Sequence, residues 1–263
     1  MNIVVLLKQV HDPNMSRAAM RIAEDHKTLV LPAASAAILN GFDANAMEES
    51  LRLRDKCGGT VTAISVGPES TKEILRRAIA MGADKALHIV GASGLDSDSD
   101  TVAALLAAAI RSLGPTDFVL SGRSASDTDA GVVPLRVAVH LGFSVVTPVR
   151  SLNVVEGGEL IADRIAEGRT RRVRIAGSAV IGVSNEINKP RSPSLKGVVA
   201  SKRATIPSVT AQDLGVAPAE PTLLLRRLFK PEAPTALSEL IPGASAEEAG
   251  RALADRLRQD GLI

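Results

Sequence analysis

Short unbroken apolar runs alternate, through the first half of the chain, with longer stretches where apolar and charged positions interleave. Ile3 to Leu7 is the first such run, the pattern of a strand buried on both faces of a parallel sheet. The turn-prone His11-Asp12-Pro13-Asn14 follows, where a parallel sheet carries its ligand loops. From Ala44 to Lys56, Ala46, Met47, Leu51 and Leu53 interleave with Glu48, Glu49, Arg52 and Arg54, which predicts an amphipathic helix with Asp43 as its N-cap and Gly58-Gly59 as its end. Thr60 to Val66 reads as a second strand, and Gly67-Pro68-Glu69 opens a helix through Met81 that stops at Gly82. Ala86 to Val90 is a third strand and Ala92 to Asp98 a polar loop. A helix then runs from Asp100 to Leu113, and Phe118 to Leu120 is a further strand, followed by the loop Ser121 to Ala130 and a helix to Leu141. Strands and helices in this alternation imply a parallel sheet with right-handed crossovers.

After Thr147-Pro148 the pattern changes. Ser151 to Val155, Glu159 to Arg164 and Thr170 to Ile175, joined by Gly-containing turns, predict an antiparallel meander, and Ala179 to Val183 returns as a buried strand of the main sheet. From Asn188 to Pro242 prolines recur too often for regular elements, so this stretch is expected to be an irregular arm laid over a partner. Ser245-Ala246-Glu247-Glu248 is a capping box that opens a last helix ending at Gly261.

Composition narrows the function classes. The 31 Lys and Arg against 29 Asp and Glu leave a formal charge of +2, too little to argue for nucleic acid or an anionic membrane surface. With no Trp, no Tyr and four Phe, aromatic platforms for single-stranded nucleic acid are scarce. No apolar segment approaches the ~20 residues that span a bilayer, so direct membrane insertion is not expected. The run Met1 to Lys8 is too short for a signal peptide, so a reducing cytoplasmic setting is expected, or its mitochondrial equivalent after removal of a targeting peptide. Cys57 has no disulfide partner, no metal-ligand spacing exists, and Cys57 is expected as a small buried residue closing a helix. The scattered histidines read as structural, and no Walker loop, Gly-x-Ser-x-Gly elbow or Gly-x-Gly-x-x-Gly is present.

Chemistry concentrates in the loop Ser121-Gly122-Arg123-Ser124-Ala125-Ser126-Asp127-Thr128-Asp129-Ala130-Gly131, with Val132 and Val133 beyond it, between a buried strand and a helix N-terminus. Free backbone N–H groups there favour an anion, and Gly and Ala let a phosphate approach closely. Asp127 or Asp129 as ordinary helix caps is the competing reading. Lys8-Gln9-Val10, Asn40-Gly41-Phe42-Asp43 and Ser65-Val66-Gly67 are expected at the same sheet edge, where they could frame an adenosine. Alternatively, Lys8 is a solvated strand end and Phe42 packs a helix start.

Taken in order, several blocks resemble the electron transfer flavoprotein beta-subunit family, also called FixA. They are Val4 to Val10, Asn40 to Glu49, Ser65 to Pro68, Arg77 to Asp84, Ser121 to Pro134 and Asn188 to Gly197, and together they cover nearly the whole length. Gly41, Ser124 and Val133 depart from the family's usual proline, glutamine and glycine. The resemblance implies an electron-carrier subunit rather than a stand-alone enzyme. Such a subunit clasps an electron transfer flavoprotein alpha subunit, which holds most of a shared FAD. The pocket bounded by the four segments above would hold AMP, as in simple carriers, or a second FAD, as in electron-bifurcating relatives. The tail Thr222 to Ile263 resembles the bifurcating branch, so a second FAD is expected. The family's docking loop for acyl-CoA dehydrogenase-type or other flavin dehydrogenases maps onto Arg191 to Ser201, with Leu195 as the exposed anchor. The implied fold is α/β, a parallel-sheet, Rossmann-like adenine-nucleotide-binding domain over 1–187 with an antiparallel meander, then a docking loop, partner-clasping arm and terminal helix over 188–263. Two alternatives remain. An adenine-nucleotide hydrolase would want a Ser-Gly-Gly-x-Asp-Ser loop where this chain has Gln9-Val10-His11-Asp12. The other is a flavin-free nucleotide-sensing scaffold.

Overall fold

A computed structural model describes the chain except for residues 16–19, 31–36, 92–97, 218–219, 222–223 and 232–237 and the side chain of Glu156. The first strand, β1 (Asn2–Leu6), leads into β2 (Gln9–His11), the short β3 (Arg21–Ile22) and β4 (Leu29–Val30), and β5 (Ala37–Leu39), which pairs back onto β2. Helix α1 (Gly41–Cys57) returns the chain to β6 (Thr60–Gly67), α2 (Lys72–Met81) to β7 (Lys85–Val90), and α3 (Ser99–Ser112) to β8 (Phe118–Gly122). Then come α4 (Val133–Leu141), β9 (Ser144–Val154), β10 (Leu160–Ala166), β11 (Arg169–Ile175), β12 (Ala179–Val183), α5 (Leu195–Arg203), β13 (Ser208–Val209) and α6 (Ala246–Gln259).

Among the described residues nine strands form one sheet in the order β11, β10, β9, β12, β8, β1, β6, β7, β13. Pairings from β9 through β12, β8, β1, β6 and β7 to β13 are all parallel, whereas β9, β10 and β11 form the expected antiparallel meander. The apolar runs sit where such runs belong, since every residue of β8 and of β12 is buried. Side-chain alternation along β1 serves both layers. Ile3 and Val5 pack with Met47 and Leu51 of α1 and Leu75 of α2, while Val4 and Leu6 pack with Leu105, Leu106 and Ile110 of α3 and Val137 of α4. The winding direction reverses between β1 and β8, so their carboxyl ends diverge into different crossovers and leave a crevice, the usual ligand position in such a sheet.

Several expectations are corrected here. Asp43 is not the cap of α1; the helix begins at Gly41 with Asn40 in the cap position, and Asp43 lies buried in its first turn. Cys57 closes that helix but is exposed. The proline-rich stretch is not irregular throughout. It holds α5, whose cap residue Ser194 accepts from the Gly197 N–H at 3.0 Å, and β13, which extends the sheet beyond β7. Pro193 and Pro207 flank these elements rather than interrupt them. The chain divides into compact units Met1–Leu228 and Phe229–Ile263, so residues 188–228 belong to the first. In the second unit Ser245 caps α6 through the Glu248 N–H, and Glu248 returns its carboxylate to the Ala244 N–H. Most of the expected loop Ala92 to Asp98, and Pro218 and Pro234 of the expected arm, lie outside the described residues. Among the described residues no helix is long and apolar enough to cross a membrane.

Gly122 marks the tightest packing at the divergence, since an added Cβ would lie 2.5 Å from Phe42 Cβ and 2.6 Å from an Asp43 carboxylate oxygen. Gly122→Ala is therefore expected to destabilise the protein by about 1–3 kcal/mol, read as a lower urea midpoint at unchanged slope.

Candidate functional site

The crevice is organised by the first turn of α1. The Asp43 carboxylate, 5% exposed, accepts the Lys8 N–H at 2.8 Å and the Gly122 N–H at 2.9 Å, and so ties the ends of β1 and β8. One turn earlier, buried Asn40 donates from its backbone N–H to the Lys8 carbonyl at 3.0 Å. Its side-chain amide donates to the Ser124 carbonyl at 2.8 Å and accepts from the Ser126 N–H at 3.2 Å. Burial pushes the Asp43 carboxyl up to about 7, outweighing the N–H groups of Gly122 and Lys8 that favour its charged form.

Above this floor, Lys8 Nζ pairs with the Asp127 carboxylate at 2.7 Å, so Lys8 is not merely a solvated strand end. The Arg123 guanidinium lies over the Phe42 ring, 4.7 Å from its centroid, with the ring half-buried at the start of α1. Asp127 and Asp129 do not cap α4. The cap position is Val132, which has no capping side chain, no other cap is seen among the described residues, and Asp129 instead accepts from the Ser124 hydroxyl. The first-turn N–H groups of α4 thus face the loop uncapped, less the one that Pro134 lacks. Ala130 and Thr128 are exposed, and Gly131 is left-handed (φ +62°) with no room for a side chain, because a Cβ would sit 2.9 Å from the Arg123 carbonyl. The Ser121 hydroxyl at the end of β8 is buried with no hydrogen-bond partner among the described residues. Gly41 is exposed, and Val133 opens α4 half-buried.

Not every expected residue offers its side chain. Ser65 donates its hydroxyl to the Leu7 carbonyl at 2.6 Å, Val10 is buried in β2, and Val66 packs against the α3 layer. Gln9 is held to the turn after β6 by the Ser70 carbonyl at 3.1 Å. Gly67 is buried, and its carbonyl receives His88 Nε2 at 2.9 Å. These residues shape the wall. Away from the crevice, Leu195 is 83% exposed as expected, while Arg191 is engaged with Glu48. Glu48 and Glu49, read from the pattern as the polar side of α1, are buried, and burial raises the Glu49 carboxyl. Among the described residues no cluster of His, Cys, Asp and Glu could hold a metal.

A mostly parallel sheet wound in both directions from β1 and β8, with helices on both faces, defines a Rossmann-like α/β protein. Residues 28–214 match the model of the electron transfer flavoprotein domain family. The chain is 35% identical over 220 residues to an electron transfer flavoprotein subunit beta of Mycobacterium leprae, covering 82% of this chain and 81% of that protein. It is 37% identical over 217 residues to the same subunit of Thermoanaerobacterium thermosaccharolyticum, covering 82% and 81%. It is also 31% identical over 271 aligned positions, spanning both chains completely, to subunit CarD of the caffeyl-CoA reductase-Etf complex of Acetobacterium woodii. The chain belongs to the electron transfer flavoprotein domain family, on the beta-subunit side.

The buried carboxylate makes stability depend on pH. Because Asp43 binds its proton more readily in the folded chain, its contribution to stability is fully present below its ordinary 3.8, falls as pH rises, and is lost above about 7. The stability of wild type relative to Asp43→Asn is accordingly expected to decline between about pH 4 and 7 and to level off beyond, measured by urea unfolding across pH; a constant difference would mean the carboxyl keeps its ordinary pKa.

Proposed function

We propose that this chain is the beta subunit of a heterodimeric electron transfer flavoprotein. It holds an adenine nucleotide in the switch-point crevice and, with an alpha subunit that carries most of a shared FAD, moves electrons in the cytoplasm between a flavin dehydrogenase and an acceptor. The observation that carries this reading is the Asn40 and Asp43 clamp, which draws the ends of β1 and β8 and the loop 123–126 around one crevice. The residues fit a phosphate-bearing ligand. The buried Ser121 hydroxyl is unpartnered among the described residues, Gly131 keeps the loop clear of a side chain, and α4 opens uncapped. Backbone donors near Ala130 to Val132 would hold the phosphate, and Phe42 under Arg123 would bound the mouth. A bound flavin would supply the redox chemistry, and the residues of this chain would bind it, orient it and exclude water.

We favour a second FAD over AMP in this crevice. The support is the resemblance of the tail to the bifurcating branch, together with the alignment to CarD, which runs through residues beyond the 82% covered by the other two relatives. In this reading residues 229–263 reach the alpha subunit, and α5 with Leu195 meets a dehydrogenase of the acyl-CoA or a related class. The hydrolase alternative draws no support from the crevice, where Asn40 and Asp43 tie backbone segments together and Lys8 is paired with Asp127.

The deciding measurement is the identity and number of nucleotides released from the heterodimer purified with its alpha subunit, expected to be two FAD. One FAD with stoichiometric AMP overturns the second-FAD assignment and keeps the crevice, whereas one FAD with no further adenine nucleotide removes both. Gly131→Val, strained at its left-handed φ and crowding Arg123, is expected to weaken nucleotide binding by about tenfold or more in titration calorimetry.

A further inference from the structure

Helix α5 displays Leu195, Val198 and Val199, at spacing i, i+3, i+4, as one apolar face that is 83%, 36% and 47% exposed. A helix of nine residues is marginal on its own, so its shape must come from what holds it. Three mounts do so. Leading into the helix, Arg191 closes a fork on Glu48 of α1, with Nε to Oε2 at 2.8 Å and Nη2 to Oε1 at 3.1 Å, and its own backbone N–H adds a bond to Oε2 at 3.0 Å. Beside it Asn188 is held by the Asn45 side chain at 2.8 Å and bonds Glu49 at 2.9 Å. Midway along α5, Gly197 lies against the carbonyl of Ala80 in α2, where a Cβ has no room. At the far end Arg76 of α2 donates to the carbonyls of Ser201 at 2.9 Å and Ala204 at 3.3 Å, closing the helix C-terminus.

We infer that Glu48 and Gly197 are positioning residues for partner docking: they hold α5 as a preformed helical face, so that Leu195, Val198 and Val199 meet the partner together and little ordering is left to be done on binding. This rests on the reading of α5 as the dehydrogenase-docking element. A buried carboxylate with both oxygens on one guanidinium fixes direction as well as distance. Without the charge of Glu48, the partly exposed Arg191 keeps only its longer contacts to Asp55 at 3.3 Å, which do not tie it to the same point on α1. Rigid presentation matters because each apolar side chain ordered only at the moment of contact subtracts from affinity.

The test uses the heterodimer carrying Glu48→Gln, Gly197→Ala or Leu195→Ala. It measures amide hydrogen exchange across 195–203, flavin content, and kcat and KM toward a reduced acyl-CoA dehydrogenase. Glu48→Gln and Gly197→Ala are each expected to speed exchange in α5 and to raise KM by about tenfold, with kcat and flavin content unchanged. Leu195→Ala raises KM without changing exchange. Faster exchange at unaltered KM in the two positioning variants overturns the inference while Leu195→Ala still reports docking. No change in KM for any of the three overturns the docking reading itself. Loss of flavin or of kcat in both positioning variants makes their role general stability and equally overturns the inference.

Discussion

One carboxylate stands where the sheet changes direction. Neighbouring strands of a parallel sheet satisfy each other's backbone until their ends separate, and the separation of β1 from β8 leaves the Lys8 and Gly122 N–H groups facing a gap. Asp43 accepts both, and it reaches them because α1 begins at Gly41, putting its first turn between the two strand ends. Gly122 permits the approach by having no side chain, and Asn40 extends the same tie to the loop after β8. The crevice, the start of α1 and the path of the 123–131 loop therefore depend on one another.

Much of this architecture is legible in the chain. The apolar runs of β1, β8 and β12 are what doubly buried strands look like, and the glycines of the meander mark its turns. The site segments follow from the rule that open α/β sheets bind ligands at carboxyl ends. What local pattern misjudges are polar residues whose partners lie far away. Asp43 has the look of a cap, since an Asp before an apolar-periodic stretch usually is one, and only tertiary partners 35 and 79 residues away recruit it inward. Glu48 and Glu49 occupy positions that read as solvated until Arg191 and Asn188, 143 and 139 residues further along, provide their partners.

The proline-rich stretch misleads for a different reason. Proline ends elements more often than it forbids them, and Pro193 and Pro207 stand just outside α5 and β13. A local cue was present, for Ser194 followed by a short amphipathic run is a cap and a helix start, but its nine residues carry little periodicity against the surrounding prolines. Ser121, by contrast, carries no signal of its own within the loop sequence, yet its buried hydroxyl is unpartnered among the described residues.

On the docking role proposed for α5, the contact of Gly197 with Ala80 bears on how that role could be moved between relatives. Helix α5 is no detachable cassette: its seat is a backbone-to-backbone touch on α2, and its leading strap is bolted to a buried acid on α1. Grafting the nine residues of α5 alone onto another scaffold would carry over the apolar lettering without the frame that sets its orientation. The smallest portable unit adds to α5 the residues Asn45, Glu48, Glu49, Arg76 and a small residue at 80, all more than a hundred residues before it, so that on the proposed docking role partner choice would be written jointly by α1, α2 and α5.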